Sequence, residues 1–362
     1  MKILILQDYL RCGGTEMQSI TLAEGFEKEN WKVKLVTLRP LGPLFPLAES
    51  RNISVHSLQA VDLKINSLHP GLSEFISTFD PHALLLMGRT ANCLGSKIRK
   101  KFPGISILGT FRTGRSIPRS YRESLAHCNH IFCNSQWAAG QVLGLGIPKA
   151  NFSVIPNGLA HPIASARKKI LRKKIRETTG TPKRTTVFLK VAAFIPGKNH
   201  KELLHILSKL EGDWELWLVG SGRTLKSCRK LAAKLQIDQK IRFFGHLMNP
   251  EAHYFGADVA VLTSREESLP NFLVEAQATG LPVVAYDCAG VRETFRPNNS
   301  GILVPQESQT DFHSALQSLL NNPTVRKQMG KVGQIWAQEQ FCPQEKLRDY
   351  MDKIREISSE PN

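Results

Sequence analysis

The sequence predicts an α/β protein of two doubly wound halves, each a parallel sheet with helices on both faces. Three observations carry this expectation. Short apolar segments alternate with longer amphipathic ones along the whole chain, and the alternation restarts after a turn-rich break at Ile155-Pro156-Asn157-Gly158. The 362 residues are 41% hydrophobic and 22% charged, the balance of a globular chain long enough for two ordinary domains, which excludes disorder, collagen or coiled coil as the main architecture.

Taken in order, residues 2–6, 32–37, 83–87, 105–110, 131–134 and 152–155 read as buried strands, because each is a short, mostly apolar segment. Residues 17–28 read as a helix, with apolar side chains at Met17, Ile20, Leu22, Ala23 and Phe26. After the break, residues 164–179 hold Arg167, Lys168, Lys169, Arg172, Lys173, Lys174 and Arg176 around Ile170, Leu171 and Ile175. That spacing predicts a basic helix with a thin apolar stripe, either a solvated element opening the second half or a contact surface for acidic lipid or another polyanion. Strands follow over 186–192, 214–219, 241–244, 259–262 and 282–286, separated by helices such as 201–209 and 225–235.

The formal charge is +17, and it is unevenly placed. Residues 1–162 carry 18 Lys and Arg against 10 Asp and Glu, residues 163–185 carry 9 against 1, and residues 186–362 carry 21 against 20. The first half and a short middle segment therefore hold the excess, which suits an anionic membrane, nucleic acid or a phosphorylated substrate. No apolar run approaches the roughly 20 residues of a bilayer span, and the start is too short to read as a signal peptide. The seven cysteines are scattered, without a Cys-x-x-Cys pair or a His at zinc spacing, so the expected location is reducing and cytoplasmic, with no disulfide framework and no structural metal.

Several loops at strand ends can carry chemistry. Gly13 and Gly14 follow the first strand and precede a helix, where paired glycines let backbone amides approach an anion or simply make a tight turn; the pattern is not Gly-x-Gly-x-x-Gly. Lys198 lies in a strand-to-helix loop, where its ammonium can neutralise phosphate or merely be solvated. Gly220 ends the next strand of that half. Residues 264–276 are the most informative stretch: with Glu267 at a helix entrance, Glu275 would lie about two turns on, roughly 12 Å away, so that the two carboxylates could hold hydroxyls at two points of one ligand. The segment Ser268, Leu269, Pro270 and Asn271 is expected to face an anion between them through the backbone amides of its three non-proline residues. The plainer reading is a helix with acidic residues in its first turns.

These pieces in this order resemble family 4 of the retaining glycosyltransferases, which have the GT-B fold of two facing Rossmann-like domains with an interdomain cleft. The matching positions are Gly13-Gly14, Asn134-Ser135, Ile155-Pro156-Asn157-Gly158, Lys198-Asn199, Gly220-Ser221-Gly222, Phe244-Gly245, Glu267 to Glu275, Gly280-Leu281-Pro282-Val283-Val284 and Gly301-Ile302-Leu303-Val304-Pro305. The resemblance implies an acceptor-binding domain of residues 1–162 plus a C-terminal helix at about 343–362, and a donor-binding domain of residues 163–342. It further implies that Lys198 contacts the donor diphosphate, that Gly13 and Gly14 leave room for it, that Glu267 holds the transferred sugar, that Glu275 holds the ribose, and that backbone near His246 and Leu247 holds the base. Two departures stand out. Ala193 occupies the place of a common Arg, and Phe111-Arg112 that of a common His; Arg112 or Arg115 could grip phosphate or an anionic acceptor instead.

The activity so implied is metal-independent, retaining transfer of a hexosyl-type sugar from a nucleotide-sugar, UDP in preference to GDP, to a hydroxyl of a glycan or lipid-linked acceptor in cell-surface polysaccharide or glycolipid synthesis. The nucleotide-sugar is a co-substrate, and no cofactor is called for. The leaving diphosphate would help to deprotonate the acceptor on the same face, in place of a protein base. A catalytically degenerate nucleotide-sugar binder is the alternative, motivated by Ala193 and Phe111. A polyanion-binding protein fits less well, since the neutral second half holds the best site and no nucleic-acid motif is present. The basic first half is accordingly expected to meet an anionic membrane, at its inner face, and not nucleic acid.

Overall fold

Aliphatic runs without polar alternation belong to strands buried on both faces, and the chain places them so. The computed structural model describes residues 1–63, 65, 68–159 and 167–359. The chain divides into two units, Met1–Ala160 with Pro343–Asn362, and His161–Cys342.

The first unit holds a seven-stranded sheet of β1 (Lys2–Gln7), β2 (Lys32–Thr37), β3 (Val55–Ser57), β4 (Ala83–Leu86), β5 (Ser106–Phe111), β6 (His130–Cys133) and β7 (Phe152–Val154). Every pairing is parallel, in the order β3-β2-β1-β4-β5-β6-β7. Alternate side chains enter two cores: Leu4, Leu6, Leu84 and Leu86 belong to one, and Ile3, Ile5, Ala83 and Leu85 to the other. The helix Pro343–Ser359 completes the second core by burying Tyr350, Met351 and Ile354 in it. Tyr350 packs on Phe132 with ring centroids 4.6 Å apart. A Cβ at Gly25 would come within 2.7 Å of Leu347, so the helix Gly14–Lys28 tolerates this neighbour because residue 25 has no side chain.

The second unit repeats the plan with β8 (Thr186–Val191), β9 (Trp214–Val219), β10 (Ile241–Gly245), β11 (Val259–Leu262), β12 (Val283–Tyr286) and β13 (Gly301–Val304). These are also parallel, in the order β10-β9-β8-β11-β12-β13. Phe188, Leu216, Val261 and Val284 enter one core, while Leu189, Trp217, Ala260 and Val283 enter the other. Strand order reverses between β8 and β11, and in open α/β sheets such a switch point opens a crevice at the strands' carboxyl ends.

Two edge strands escaped the sequence reading. β3 is three residues long and only partly buried, and β13 begins on Gly301, where a Cβ would lie 2.4 Å from Val283, and has only the three apolar residues Ile302, Leu303 and Val304 before Pro305. The expected start of the basic helix at 164 and the boundary at 162/163 fall outside the described residues, and the helix itself spans Lys168–Thr179.

Three of the seven cations around it are structural. Arg172 donates to the carbonyls of Phe255, Gly256 and Ala257, at the carboxyl end of the helix Glu251–Gly256, and pairs with Asp258 at 2.7 Å. Arg176 donates to the carbonyls of Gly256, Pro182 and Thr185 and pairs with the other Asp258 oxygen at 2.5 Å. Lys168 donates to the Thr279 carbonyl at 2.9 Å. Residues 168, 172 and 176 lie four apart, on one helix face, so the inward stripe is basic and serves carbonyls that the neighbouring helix leaves open. Ile175 packs into the core, but Ile170 is 69% exposed, so the expected apolar stripe is broken. This helix is an element of the second unit, and its outward positive charge is that of Arg167, Lys169, Lys173 and Lys174, beside the exposed Glu177.

Candidate active site

The switch point of the second unit gathers the main predicted residues. After β8 the chain makes a single tight turn, Pro196–Lys198, and Asn199 adopts a left-handed conformation (φ 51°) before the helix His200–Leu207. This turn aims Lys198 across the crevice. After β11, the loop 263–270 returns Glu267 to the same place, with the amide of Arg265 bonded to the Gly197 carbonyl at 3.0 Å. Lys198 Nζ and Glu267 Oε1 lie 2.5 Å apart, with side chains 25% and 9% exposed. A nearly buried carboxylate and a reachable ammonium thus form a pair that neutralises each side chain while leaving the cation one open flank.

Glu267 does not stand at a helix entrance. The helix begins at Asn271 and runs to Ala278, because Pro270 disfavours helical geometry at Leu269 before it. The 12 Å spacing of a continuous helix therefore does not apply, and the two glutamates belong to different local structures. Glu275 lies on the helix and accepts a hydrogen bond from Tyr254 Oη at 2.5 Å. Burial pushes its carboxyl up to about 7, against the lowering effect of that bond. Ser268, Leu269 and Pro270 are buried and line the approach to the helix, whose first residue, Asn271, is half-buried.

Gly220 and Gly222 have a job the sequence did not reveal. Their φ values are 140° and 148°, and added Cβ atoms would lie 2.1 Å from the Ala192 carbonyl oxygen and 2.5 Å from that of Phe194. Only glycine lets the loop after β9 lie against the loop that carries Lys198. Gly220 N also donates to the Gly245 carbonyl at 2.6 Å, which joins the loop after β10 to the set. There His246 is exposed and Leu247 packs against the core.

In the first unit, Gly13 caps the helix Gly14–Lys28 with an extended backbone, φ −139°. The space beside it is taken by the Glu16 carboxylate: a Cβ at Gly13 would lie 2.4 Å from Glu16 Oε2. Glu16 is 6% exposed and pairs with Arg11 at 3.2 Å, and burial pushes its carboxyl up from the ordinary range. Sequence reasoning passed over Glu16, since an acidic residue in a first helical turn is ordinary dipole compensation. Arg112, expected to meet phosphate, donates to Tyr350 Oη at 3.1 Å and to Asn157 Oδ1, and its Nε is buried without a partner. It ties the turn after β7 to the C-terminal helix of its own unit, while Arg115 is exposed. Phe111 is 4% exposed and belongs to the core beside Tyr121, so the position of the expected His is a packing position. Ala193 is exposed on the loop after β8. A buried lysine beneath that loop, Lys190, was also missed, because within β8 it reads as an interruption of an apolar run.

Comparison with known proteins is consistent over both units. The family model for glycosyl transferases group 1 matches residues 172–336, and that for glycosyltransferase family 4 matches residues 12–161. An uncharacterised glycosyltransferase of Haemophilus influenzae is 25% identical over 90% of this chain and 92% of its own. The lipopolysaccharide core biosynthesis glycosyltransferase LpsE of Rhizobium meliloti is 27% identical over 56% of this chain and 57% of its own, so the chain spans little more than half of that relative. Among solved structures, HepE of Anabaena in complex with UDP-glucose superposes with a TM-score of 0.86 at 18% identity, over 98% of this chain and 100% of that one. A glycosyltransferase of Rickettsia africae gives a TM-score of 0.82 at 18% identity, covering 99% and 100%. With one model of this kind on each unit and the fold shared along nearly the whole chain, the protein belongs to the GT-B glycosyltransferases of group 1 and family 4.

Proposed function

We propose that this glycosyltransferase moves a sugar from a UDP-sugar, with retention and without a metal ion, to a hydroxyl of a lipid-linked or glycan acceptor in the assembly of lipopolysaccharide or a related cell-surface polysaccharide. The observation that carries the reading is the Lys198–Glu267 pair at the switch point of the second unit. As the bond between the anomeric carbon and the diphosphate breaks, negative charge grows on the leaving group and positive charge on the sugar. Lys198 is placed to offset the first, and Glu267 to hold sugar hydroxyls close to the second. Glu275, now held by Tyr254, offers a carboxyl to the ribose hydroxyls. The acceptor proton passes to the leaving diphosphate on the same face. The preference for UDP is supported by the UDP-glucose complex of HepE, and the acceptor class by the name of LpsE.

Incubating the protein with UDP- and GDP-sugars and lipid-linked acceptors, with and without EDTA, tests this. The expected product is a new glycoside with the donor's anomeric configuration, formed at an unchanged rate in EDTA. Inversion, a metal requirement or binding without turnover would each overturn the corresponding part; the last is the behaviour of a degenerate transferase.

The first unit is also proposed to dock on the inner, anionic face of a membrane. Besides its positive charge, the stretch after β3 exposes Val61 (69%), Leu63 (53%), Ile65 (48%) and Leu68 (41%), held in place by the Arg39–Asp62 fork at 2.9 and 2.7 Å. Aliphatic side chains beside basic ones suit an interfacial contact. Among the described residues no helix is long and apolar enough to cross a membrane. Flotation with anionic liposomes at low salt is expected to carry the protein, and replacing Val61, Leu63 and Ile65 by serine to reduce its recovery several-fold. Equal flotation with neutral and anionic lipid would remove the proposal.

A further inference from the structure

β8 directs the side chain of Lys190 beneath the turn that carries Lys198. Lys190 is fully buried, and its ammonium donates to the Lys198 carbonyl oxygen and, at 2.7 Å, to Thr263 Oγ1. That hydroxyl donates in turn to the Asn199 carbonyl at 2.9 Å. One buried cation therefore clamps the turn after β8 to the end of β11, the two segments that bring Lys198 and Glu267 together. Among the described residues no carboxylate pairs with Lys190 directly. A strand interior is an unfavourable place for an ammonium held only by neutral acceptors, and an apolar side chain would fill it at less cost.

The charged and titratable groups around it come from four elements. They are Lys198 from its own turn, His200 and Glu202 from the helix His200–Leu207, Cys228 from the helix Leu225–Lys234, and Glu267 from the loop after β11. Burial first, and then the Lys198 cation, bring the ammonium down to about 7, against the attraction of Glu267, Cys228 and Glu202. His200 is held neutral far below neutrality, and its two ring nitrogens are buried without partners, so it offers Lys190 no compensating charge.

We propose that Lys190 is a positioning residue of the donor site, which holds the Lys198 turn against Thr263 and takes up a proton when the diphosphate of a nucleotide-sugar docks on Lys198. The proposal rests on the donor reading above. Two negative charges arriving above the turn favour the protonated ammonium, so its affinity for the proton rises on binding. From about pH 7 upward, where the free protein's Lys190 is increasingly neutral, binding must then draw a proton from solution. By linkage, affinity falls as pH rises through that range and is independent of Lys190 titration well below it.

UDP-glucose is a suitable probe, since its diphosphate has no group titrating near neutrality. Calorimetric titration at pH 7.5 in buffers of different ionisation enthalpy counts the protons. The wild type is expected to take up roughly half a proton per UDP-glucose and to lose about tenfold in affinity between pH 6.5 and 8.5. Lys190→Met, or Lys190→Gln where the first does not fold, is expected to lose that uptake and flatten the pH slope; Glu275 titrates in the same range, so the difference between wild type and variant carries the assignment. Uptake and slope that are the same in a folded variant, or no uptake by the wild type, overturn the proposal. A wild type that binds none of UDP-glucose, UDP or GDP instead overturns the donor reading itself.

Discussion

Lys198→Ala is expected to lower kcat/KM for sugar transfer by about 10²–10³-fold, the usual cost of removing one preorganised group from a site that stabilises a leaving anion. The loss should fall on kcat as well as on KM, because the charge that Lys198 answers grows as the donor bond breaks. Lys198→Arg should recover only part of the activity, since a planar guanidinium cannot reproduce a point charge at the end of a tight turn. The Glu267 carboxylate, 9% exposed, is left nearly buried without its cation in the alanine variant. A Lys198→Ala/Glu267→Gln double variant should therefore cost much less than the losses of the single Lys198→Ala and Glu267→Gln variants combined. Steady-state kinetics on all four variants test this, and transfer by Lys198→Ala within twofold of the wild type would remove Lys198 from the reaction.

The largest effect on stability is expected far from that chemistry. Arg176 is 6% exposed and holds Asp258 together with three backbone carbonyls. Asp258 also accepts from the Val187 amide at 2.9 Å, so this ion pair connects the basic helix to the first residues of β8. Arg176→Ala strands those acceptors, and breaking a buried pair from one side costs about 3 kcal/mol even with Arg172 left in place. For a unit of this size that is a fall of roughly 6–12 °C in the unfolding temperature. Lys169→Ala, on the exposed side of the same helix, serves as the control and should change little. Differential scanning calorimetry decides it: a shift below about 2 °C for Arg176→Ala would mean that the network contributes nothing measurable.

The contrast between these two cations shows where sequence reading succeeds. β2, β9 and β11 span the residues that the sequence predicts, because a strand buried on both faces of a parallel sheet leaves a mostly apolar signature, unbroken in β11 and interrupted only by Lys34 in β2 after its first residue and by Glu215 in β9. β3 left none, being short and half-covered, and β13 left only the three-residue run Ile302-Leu303-Val304 after its glycine. Lys198 and Glu267 were legible as site residues from the loops that hold them and from the family they resemble. Arg172 and Arg176 were not legible as interior groups, since nothing local distinguishes an arginine that caps a neighbouring helix from one that faces water.

By itself, then, the sequence determined two parallel doubly wound halves, the break between them, the uneven charge and the loops at the strand ends, all of which depend on local patterns of period and turn. Tertiary structure alone decided that Lys198 and Glu267 touch, that Gly220 and Gly222 are spacers between loops, that Glu16 fills the space beside Gly13, that Arg112 is a clasp, and that Lys190 lies beneath the site. Each of these is a meeting of segments set side by side by the sheet or its loops, most of them distant in the chain. Burial and charge environment, and with them the protonation of Glu275 and Lys190, depend on such meetings, because desolvation is set by what packs around a group in space and not by its neighbours in sequence.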